Sequence, residues 1–240
     1  MKQLLILLGL ICTLSACGPK MPGPVPTLSP GMTINTLNQQ TLAKRANYFS
    51  SAILHIPQSA QITIALAALK KLQAQTRREA GNRAFVVHQD QINPQNIVIW
   101  EAFQSEDDFQ KHLKSPHLHE FLNTKLVNFV QGYSSIRKSA TPVFSRGYFS
   151  MAVLNLQAGQ SFEQAQKALA QLEKQTQQES GNQAFVVLAV QSTEAPSKFV
   201  VWEQFKDKAA FDAHLNSHHL KQFLALNLVS FEKGYTLQAI

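Results

Sequence analysis

Six of the eight histidines lie in two ten-residue segments, which are the first candidates for chemistry. The segments read HLKSPHLHEF at residues 112–121 and HLNSHHLKQF at residues 214–223, so both carry the spacing His-x-x-Ser-x-His. Imidazole exchanges protons near neutral pH and binds metals, so these histidines suit acid–base chemistry, metal ligation or a pH-sensitive surface. The structural alternative is that each ring packs at a helix junction and bonds to a backbone carbonyl oxygen.

The serine and proline inside these segments indicate where a helix begins. Ser115 suits an N-cap and Pro116 suits the first helical position, and Ser217 suits the same cap in the second segment. His112 and His117 are five residues apart across this break, whereas paired metal ligands on one helix prefer a spacing of about three or four. No cysteine or paired carboxylate completes a ligand shell, so no metal site is predicted.

The N-terminus has the pattern of a bacterial lipoprotein. Residues 1–16 contain one positive charge, at Lys2, and then an apolar run that is too short for a transmembrane helix, which indicates a signal peptide. The ending Leu-Ser-Ala-Cys resembles the lipobox, so we expect lipidation of Cys17. The following residue is Gly18 rather than aspartate, which favours anchoring in the outer membrane of the cell envelope, facing the periplasm.

Residues 17–46 are predicted to hold the lipidated cysteine and a proline-rich tether, since five of the ten prolines lie within residues 18–31. Cys12 leaves with the signal peptide and Cys17 carries the lipid, so no disulfide is expected. The formal net charge is +7, which suits an anionic lipid surface. Lysine and arginine form no long run, so no nucleic acid partner is predicted.

The rest of the chain contains one domain twice, at an offset of 100 to 102 residues. EAGNRAFVV at residues 79–87 corresponds to ESGNQAFVV at residues 179–187, with seven of nine positions identical. Gly81 and Gly181 within these segments suit the end of the preceding helix. A chance match does not explain this register, because WEAF and WEQF and the two histidine segments repeat in it as well.

Each repeat, residues 47–138 and 147–240, follows the order strand, helix, strand, strand, helix, strand, which predicts a ferredoxin-like α+β domain. The strands NIVIWEAF and KFVVWEQF are apolar on both faces, although helices cover only one. The second face needs a partner, and the other repeat supplies it. The expected fold is therefore two ferredoxin-like repeats of the dimeric α+β barrel type, packed sheet to sheet as an intramolecular pseudo-dimer.

Three features together resemble the antibiotic biosynthesis monooxygenase family, especially its quinol monooxygenase branch: Gly-Asn after the first helix, a glutamate in the third strand, and His-Leu-x-Ser-x-His before an apolar helix. The resemblance covers nearly all of both repeats. It implies a cofactor-free oxygenase that acts on phenols or quinols, so no cofactor is expected. Leu122 and Leu224 stand where the haem-degrading branch has its haem-ligating histidine, which argues against haem degradation.

Glu101 and Glu203 are unusual because each sits beside a tryptophan in a strand that otherwise looks buried. Side-chain alternation places Glu101 on the face opposite Trp100. The resemblance implies a Glu–His pair in the sheet cavity that deprotonates a phenolic substrate, so that the anion reacts with oxygen. A structural glutamate, bonded to a histidine or to backbone amides, is the alternative.

The candidate site residues come from these strands and from the two histidine segments. The expected catalytic residues are Glu101, His112, His117, Glu203, His214 and His219. The expected cavity-lining residues are Trp100, Phe103, Trp202 and Phe205, although tryptophans in such strands are more often core residues. The predicted function is an envelope lipoprotein that oxidises a quinol or a similar small aromatic molecule, and the alternative is a non-catalytic lipoprotein that binds a ligand or a partner.

Overall fold

The duplicated order of strands and helices is visible in the computed structural model, which describes residues 45–140, 147–190 and 197–240. The predicted signal peptide and Cys17 lie outside the described residues. The first repeat contains β1 (Arg45–His55), α1 (Ile62–Thr76), β2 (Asn82–Asp90), β3 (Asn96–Phe103), α2 (Glu106–Leu113), α3 (Pro116–Asn123) and β4 (Asn128–Ala140). The second contains β5 (Tyr148–Leu156), α4 (Phe162–Thr176), β6 (Asn182–Val190), β7 (Lys198–Phe205), α5 (Lys208–Leu215), α6 (His218–Ala225) and β8 (Val229–Ala239).

The strands pair in the order β4-β1-β3-β2 in the first repeat and β8-β5-β7-β6 in the second. All of the strand pairs are antiparallel. A short pairing of β2 with β8, in which His88 faces Ala239, joins the two halves into one eight-stranded sheet. The predicted α+β fold of two ferredoxin-like repeats is confirmed.

Helices cover the outer face of each half-sheet because their apolar residues recur at helical spacing. In α1 the buried residues include Ala65, Leu69 and Leu72, and they pack against Phe85 and Ile99 of the strands below. Each fully buried leucine contributes roughly 2 kcal/mol to folding. The helix α4 repeats this arrangement in the second half. None of the helices in the described ranges is long and apolar enough to cross a membrane.

The inner faces of the two half-sheets pack against each other, which is the arrangement predicted for the second apolar face. Trp100 and Trp202 are both fully buried, and their ring centroids lie 5.2 Å apart with the rings edge to face. The indole N–H of Trp202 donates a hydrogen bond to Oγ of Ser51 in the other repeat, at 2.6 Å. His88 also lies in this layer, against Trp202 and Phe149, and burial lowers its pKa to about 4.

Arg137 ties β4 to the second repeat at the far end of the strand order. Its guanidinium lies 2.6 Å from the carboxylate of Glu173 in α4 and donates a second hydrogen bond, of 2.7 Å, to the carbonyl oxygen of Val187 in β6. It also stacks over the ring of Phe49, with its carbon 5.9 Å from the ring centroid. The two repeats therefore contact each other through the β2–β8 pairing in the middle of the strand order and through Arg137 between the two end strands, β4 and β6.

Truncating the inner tryptophan tests the sheet-to-sheet packing. We expect Trp202→Ala to lower the free energy of unfolding by about 3–5 kcal/mol, because it leaves a cavity and removes the donor that bonds Ser51. Urea denaturation of the full chain measures this change. Ile64, which is 61% exposed on α1, supplies the control Ile64→Ala, which should stay within about 0.5 kcal/mol of the parent protein. A Trp202→Ala loss as small as that of the control would contradict the packing.

Candidate active site

Each repeat gathers one glutamate and two histidines where its two short helices meet. In the first repeat, Oε1 of Glu79 lies 2.8 Å from Nδ1 of His112 and 2.7 Å from Nε2 of His117. The side chain of His112 is 3% exposed, whereas those of Glu79 and His117 are 19% and 17% exposed. One carboxylate oxygen thus lies within hydrogen-bond distance of two imidazole rings, and we call these three residues the first Glu-His-His cluster.

The two histidines reach Glu79 from separate helices, because a capped break separates α2 from α3. The helix α2 ends one residue after His112. Ser115 then caps α3 by accepting a hydrogen bond from the backbone N–H of Leu118, and Pro116 occupies the first turn. The predicted helix junction is confirmed, and Ser217 caps α6 in the same way.

Gly81 and Gly181 allow close packing around the cluster. The sequence pattern predicted that they end the preceding helix, and that prediction is wrong. The helix α1 ends at Thr76. A Cβ atom on Gly81 would lie 2.3 Å from Cβ of Asp108 in α2, and one on Gly181 would lie 2.4 Å from Cβ of Ala210 in α5. The missing side chain therefore lets the His-bearing helix approach the turn that carries the glutamate.

Glu101 lies behind the cluster, on the other side of His112. Its Oε2 atom is 3.7 Å from Nε2 of His112, so the imidazole sits between two carboxyl groups. Within the described residues this Oε2 atom is buried without a hydrogen-bond partner. Burial raises the pKa of Glu101 to about 7, while the charge of His112 lowers it and the charge of Glu79 raises it. The carboxyl group therefore exchanges its proton near neutral pH.

The second repeat contains the same kind of cluster of one glutamate and two histidines. Oε1 of Glu179 lies 2.9 Å from Nδ1 of His214 and 2.7 Å from Nε2 of His219, which forms the second Glu-His-His cluster. Burial lowers the pKa of His214. Burial, and then the charge of Glu179, raise the pKa of Glu203 to about 8. In each cluster the three donor atoms lie within 4.8 Å of one another, so either could hold a metal ion.

These groups lie under the helices, whereas the sequence-based hypothesis placed the Glu–His pair in the cavity between the sheets. Strand alternation turns Trp100 inward and Glu101 outward, as predicted, but the helices and not the other repeat cover the outward face. The four expected cavity-lining residues are fully buried in packed layers: Trp100 and Trp202 contact each other, while Phe103 and Phe205 lie against the rings of His112 and His214.

A surface depression of about 160 Å³ opens beside His117, between α1 and α3. It has an apolar wall and a polar rim. The lining residues are Ala68, Lys71, Leu72, Gln75, His117, Glu120, Phe121 and Thr124. The first Glu-His-His cluster therefore has one histidine on a solvent-open recess and the other in the protein interior.

Sequence reasoning did not identify Glu79 and Glu179 as functional residues. Both begin the most similar segment of the repeats, EAGN and ESGN, but that segment indicated only a turn. A partly exposed glutamate in a turn gives no sign of its partners, which lie 33 and 38 residues further along the chain. The sequence feature that could have identified them is the glutamate that both copies keep two residues before the Gly-Asn pair.

The two repeats match the family model of the antibiotic biosynthesis monooxygenases at residues 57–124 and 148–226. This chain belongs to that family. The resemblance drawn from the Glu and His motifs is thereby confirmed at the level of the family. No curated protein matches the sequence.

Several solved structures share the fold of this antibiotic biosynthesis monooxygenase family member over most of its chain. A candidate monooxygenase from Fusobacterium nucleatum has a TM-score of 0.65 at 13% identity, over 81% of this chain and 93% of that protein. A second, from Lactobacillus acidophilus, has a TM-score of 0.62 at 13% identity, over 80% and 94%. An anthrone oxidase-like protein has a TM-score of 0.60 at 14% identity, over 82% and 93%. At such identities the similarity concerns the fold.

The raised pKa values of the buried glutamates predict a pH-dependent penalty on stability. From the ordinary pKa of 4.5 up to about 7 for Glu101 and about 8 for Glu203, the unfolded chain loses a proton that the folded chain keeps. Unfolding then becomes more favourable as pH rises. The double variant Glu101→Gln/Glu203→Gln lacks these carboxyl groups. We therefore expect its free energy of unfolding, relative to that of the parent protein, to be higher at pH 8 than at pH 5, as measured by urea denaturation.

The matched control is Glu163→Gln, which alters a glutamate whose side chain is 75% exposed. Its stability difference from the parent protein should be nearly the same at both pH values. If the stability difference between the double variant and the parent protein is also the same at both pH values, the buried carboxyl groups ionise with ordinary pKa values and the prediction is wrong.

Proposed function

We propose that this protein is a lipid-anchored cell-envelope monooxygenase that oxidises a quinol or another small phenol with molecular oxygen and without a cofactor. One observation carries the proposal. A continuous series of ionisable groups runs from the buried carboxyl of Glu101 through His112 and Glu79 to His117, at 3.7, 2.8 and 2.7 Å, and His117 opens onto the surface depression.

The depression suits a small aromatic ring better than a large ligand. Its volume of about 160 Å³ is below the range of roughly 300–1,000 Å³ that drug-sized ligands occupy. Leu72 and Phe121 supply apolar contact, and Gln75 and Glu120 at the rim can bind a hydroxyl group. A phenol in this recess places its hydroxyl group within reach of His117.

The cluster provides the acid–base chemistry that a phenol needs before it reacts with oxygen. His117 takes the hydroxyl proton, and Glu79 stabilises the resulting imidazolium through its carboxylate. The electron-rich phenolate then reacts with oxygen. For a quinol the balanced reaction inserts one oxygen atom to give a hydroxyquinone, while the second oxygen atom leaves as water with two hydrogens from the substrate. Glu101, with a pKa of about 7, can hold or return a proton behind His112.

A non-catalytic role in binding a ligand or a partner is the second candidate. It is favoured by the burial of the central groups, since His112 and Glu101 are only 3% and 7% exposed in their side chains. The layer between the sheets is also filled by tryptophan and other apolar side chains. In that case the recess binds a small molecule and the cluster only holds the helices in place.

Oxygen uptake across a panel of quinols and polyphenols separates the two candidates. We expect the parent protein to consume oxygen with at least one of them, with no stimulation by added haem. His117→Ala/His219→Ala removes the proposed general base of each repeat and should lower kcat by about 100-fold or more, which is the usual contribution of a general acid–base group. Glu101→Gln/Glu203→Gln keeps the side-chain shapes and should also lose turnover, in case removal of the imidazoles disturbs folding.

The control variant His119→Ala/His218→Ala removes two histidines from the same short helices but outside the clusters, and it should keep the parent rate. Circular dichroism confirms folding of each variant. Unchanged uptake in both cluster variants would overturn the catalytic proposal. Binding of a phenol without any oxygen consumption by the parent protein would establish the second candidate instead.

The proposed anchor is tested by Cys17→Ala in the producing bacterium. The variant lacks the thiol that receives the lipid, so we expect it to move from the membrane fraction to the soluble fraction and to lose incorporation of labelled palmitate. An unlabelled parent protein, or a Cys17→Ala variant that remains labelled and membrane-bound, would contradict lipidation at this residue.

A further inference from the structure

Each Glu-His-His cluster brings together three side chains that can also act as metal ligands. Two imidazole nitrogens from two different helices converge on the same oxygen atom of Glu79, at 2.8 and 2.7 Å. The second cluster reproduces this with Glu179, at 2.9 and 2.7 Å. Three possible ligand atoms of two chemical types therefore lie together in each repeat, all within 4.8 Å of one another.

We infer that each cluster is a binding site for one divalent transition-metal ion, held by Glu79, His112 and His117 in the first repeat and by Glu179, His214 and His219 in the second. Nitrogen and carboxylate ligands lie about 2.0–2.2 Å from an ion such as Zn²⁺. Ligand atoms around one such tetrahedral ion are about 3.3 Å apart, so the nitrogen–oxygen distances of 2.7–2.9 Å lengthen slightly when the ion replaces the hydrogen bonds.

The buried Glu101 provides the second, independent observation. Its unpaired Oε2 atom points at the Nε2 side of His112, the ring nitrogen that faces away from the cluster. In metal sites a ligating histidine commonly donates its remote ring N–H to a carboxylate, which fixes the tautomer and the ring orientation. Glu101 occupies the place of that supporting carboxylate in the first repeat.

The spacing rule that argued against a metal applies to ligands on one helix. Here His112 lies in the last turn of α2, His117 lies in the first turn of α3, and the carboxylate comes from the turn after α1. The five-residue spacing is therefore compatible with a shared ion, because the break at Ser115 places the two histidines on different helices.

The donor set selects the class of ion. Two imidazoles and one carboxylate, with no sulfur, suit Zn²⁺, Fe²⁺, Co²⁺ and similar ions, whereas Mg²⁺ and Ca²⁺ prefer oxygen ligands throughout. Three protein ligands leave at least one position for water or another ligand. Glu79 and His117 are 19% and 17% exposed, so the ion can enter from the surface.

The metal site goes beyond the proposed oxidation and does not depend on it. In the hydrogen bonds the ring nitrogens donate N–H groups to the carboxylate oxygen, whereas a metal ion needs the lone pairs of the same nitrogens after they have lost these protons. Metal binding and the proton-transfer form of the cluster therefore exclude each other, and binding releases protons.

The test is calorimetric titration of the full chain, purified without a polyhistidine tag and stripped of metal, with Zn²⁺. We expect two Zn²⁺ ions per chain. His117→Ala/His219→Ala removes a partly exposed ligand from each cluster and should abolish both binding events. Glu101→Gln should weaken binding at the first cluster by about 10–100-fold, as for other supporting carboxylates.

The matched control is again His119→Ala/His218→Ala, which should bind two ions with the parent affinity. Co²⁺ supplies a second readout, because its visible spectrum reports nitrogen and oxygen coordination without any enzyme assay. Fewer than two Zn²⁺ ions per parent chain, or two ions in the His117→Ala/His219→Ala variant, would overturn the inference. A protein that binds two ions as expected but oxidises no quinol would retain the metal site and lose only the proposed function.

Discussion

Each four-stranded half-sheet carries apolar side chains on both faces, and its own helices can cover only one of them. Burial of the remaining faces against each other is the constraint on which the rest of the structure depends. Trp100 and Trp202 meet in that layer, and Ser51 reaches across it to bond the second indole. Because both repeats are on one chain, their association does not require two separate molecules to lose translational and rotational freedom. The pseudo-dimer therefore forms at any protein concentration.

The inner layer and the outer layers have diverged to different degrees. Within the inner layer the repeats differ in chemistry, since Ser51 corresponds to Met151 and His88 to Leu188. Under the helices the two Glu-His-His clusters agree in residue type and within 0.1 Å in the bonded distances. Packing tolerates exchanges that keep volume and polarity matched across the interface, whereas a shared carboxylate oxygen requires both imidazoles at fixed positions.

Burial of Glu101 and Glu203 gives the site its electrostatic character. A carboxylate in an apolar layer is costly, so each group holds its proton up to pH values near neutrality. The exposed part of the cluster, Glu79 and His117, lies in contact with solvent. The first cluster therefore has one end in the interior, at His112 beside Glu101, and the other end at the surface depression beside His117.

The sequence by itself determined the duplication, the ferredoxin-like order of elements, the family and the capped break at Ser115, because these depend on local patterns that recur along the chain. It also determined that Glu101 and Trp100 point to opposite faces, since strand alternation is fixed by backbone geometry. Which face meets the helices was decided only by the tertiary structure. The partnership of Glu79 with His112 and His117 was likewise decided there, because Gly81 brings together a turn and two helices that no spacing rule connects.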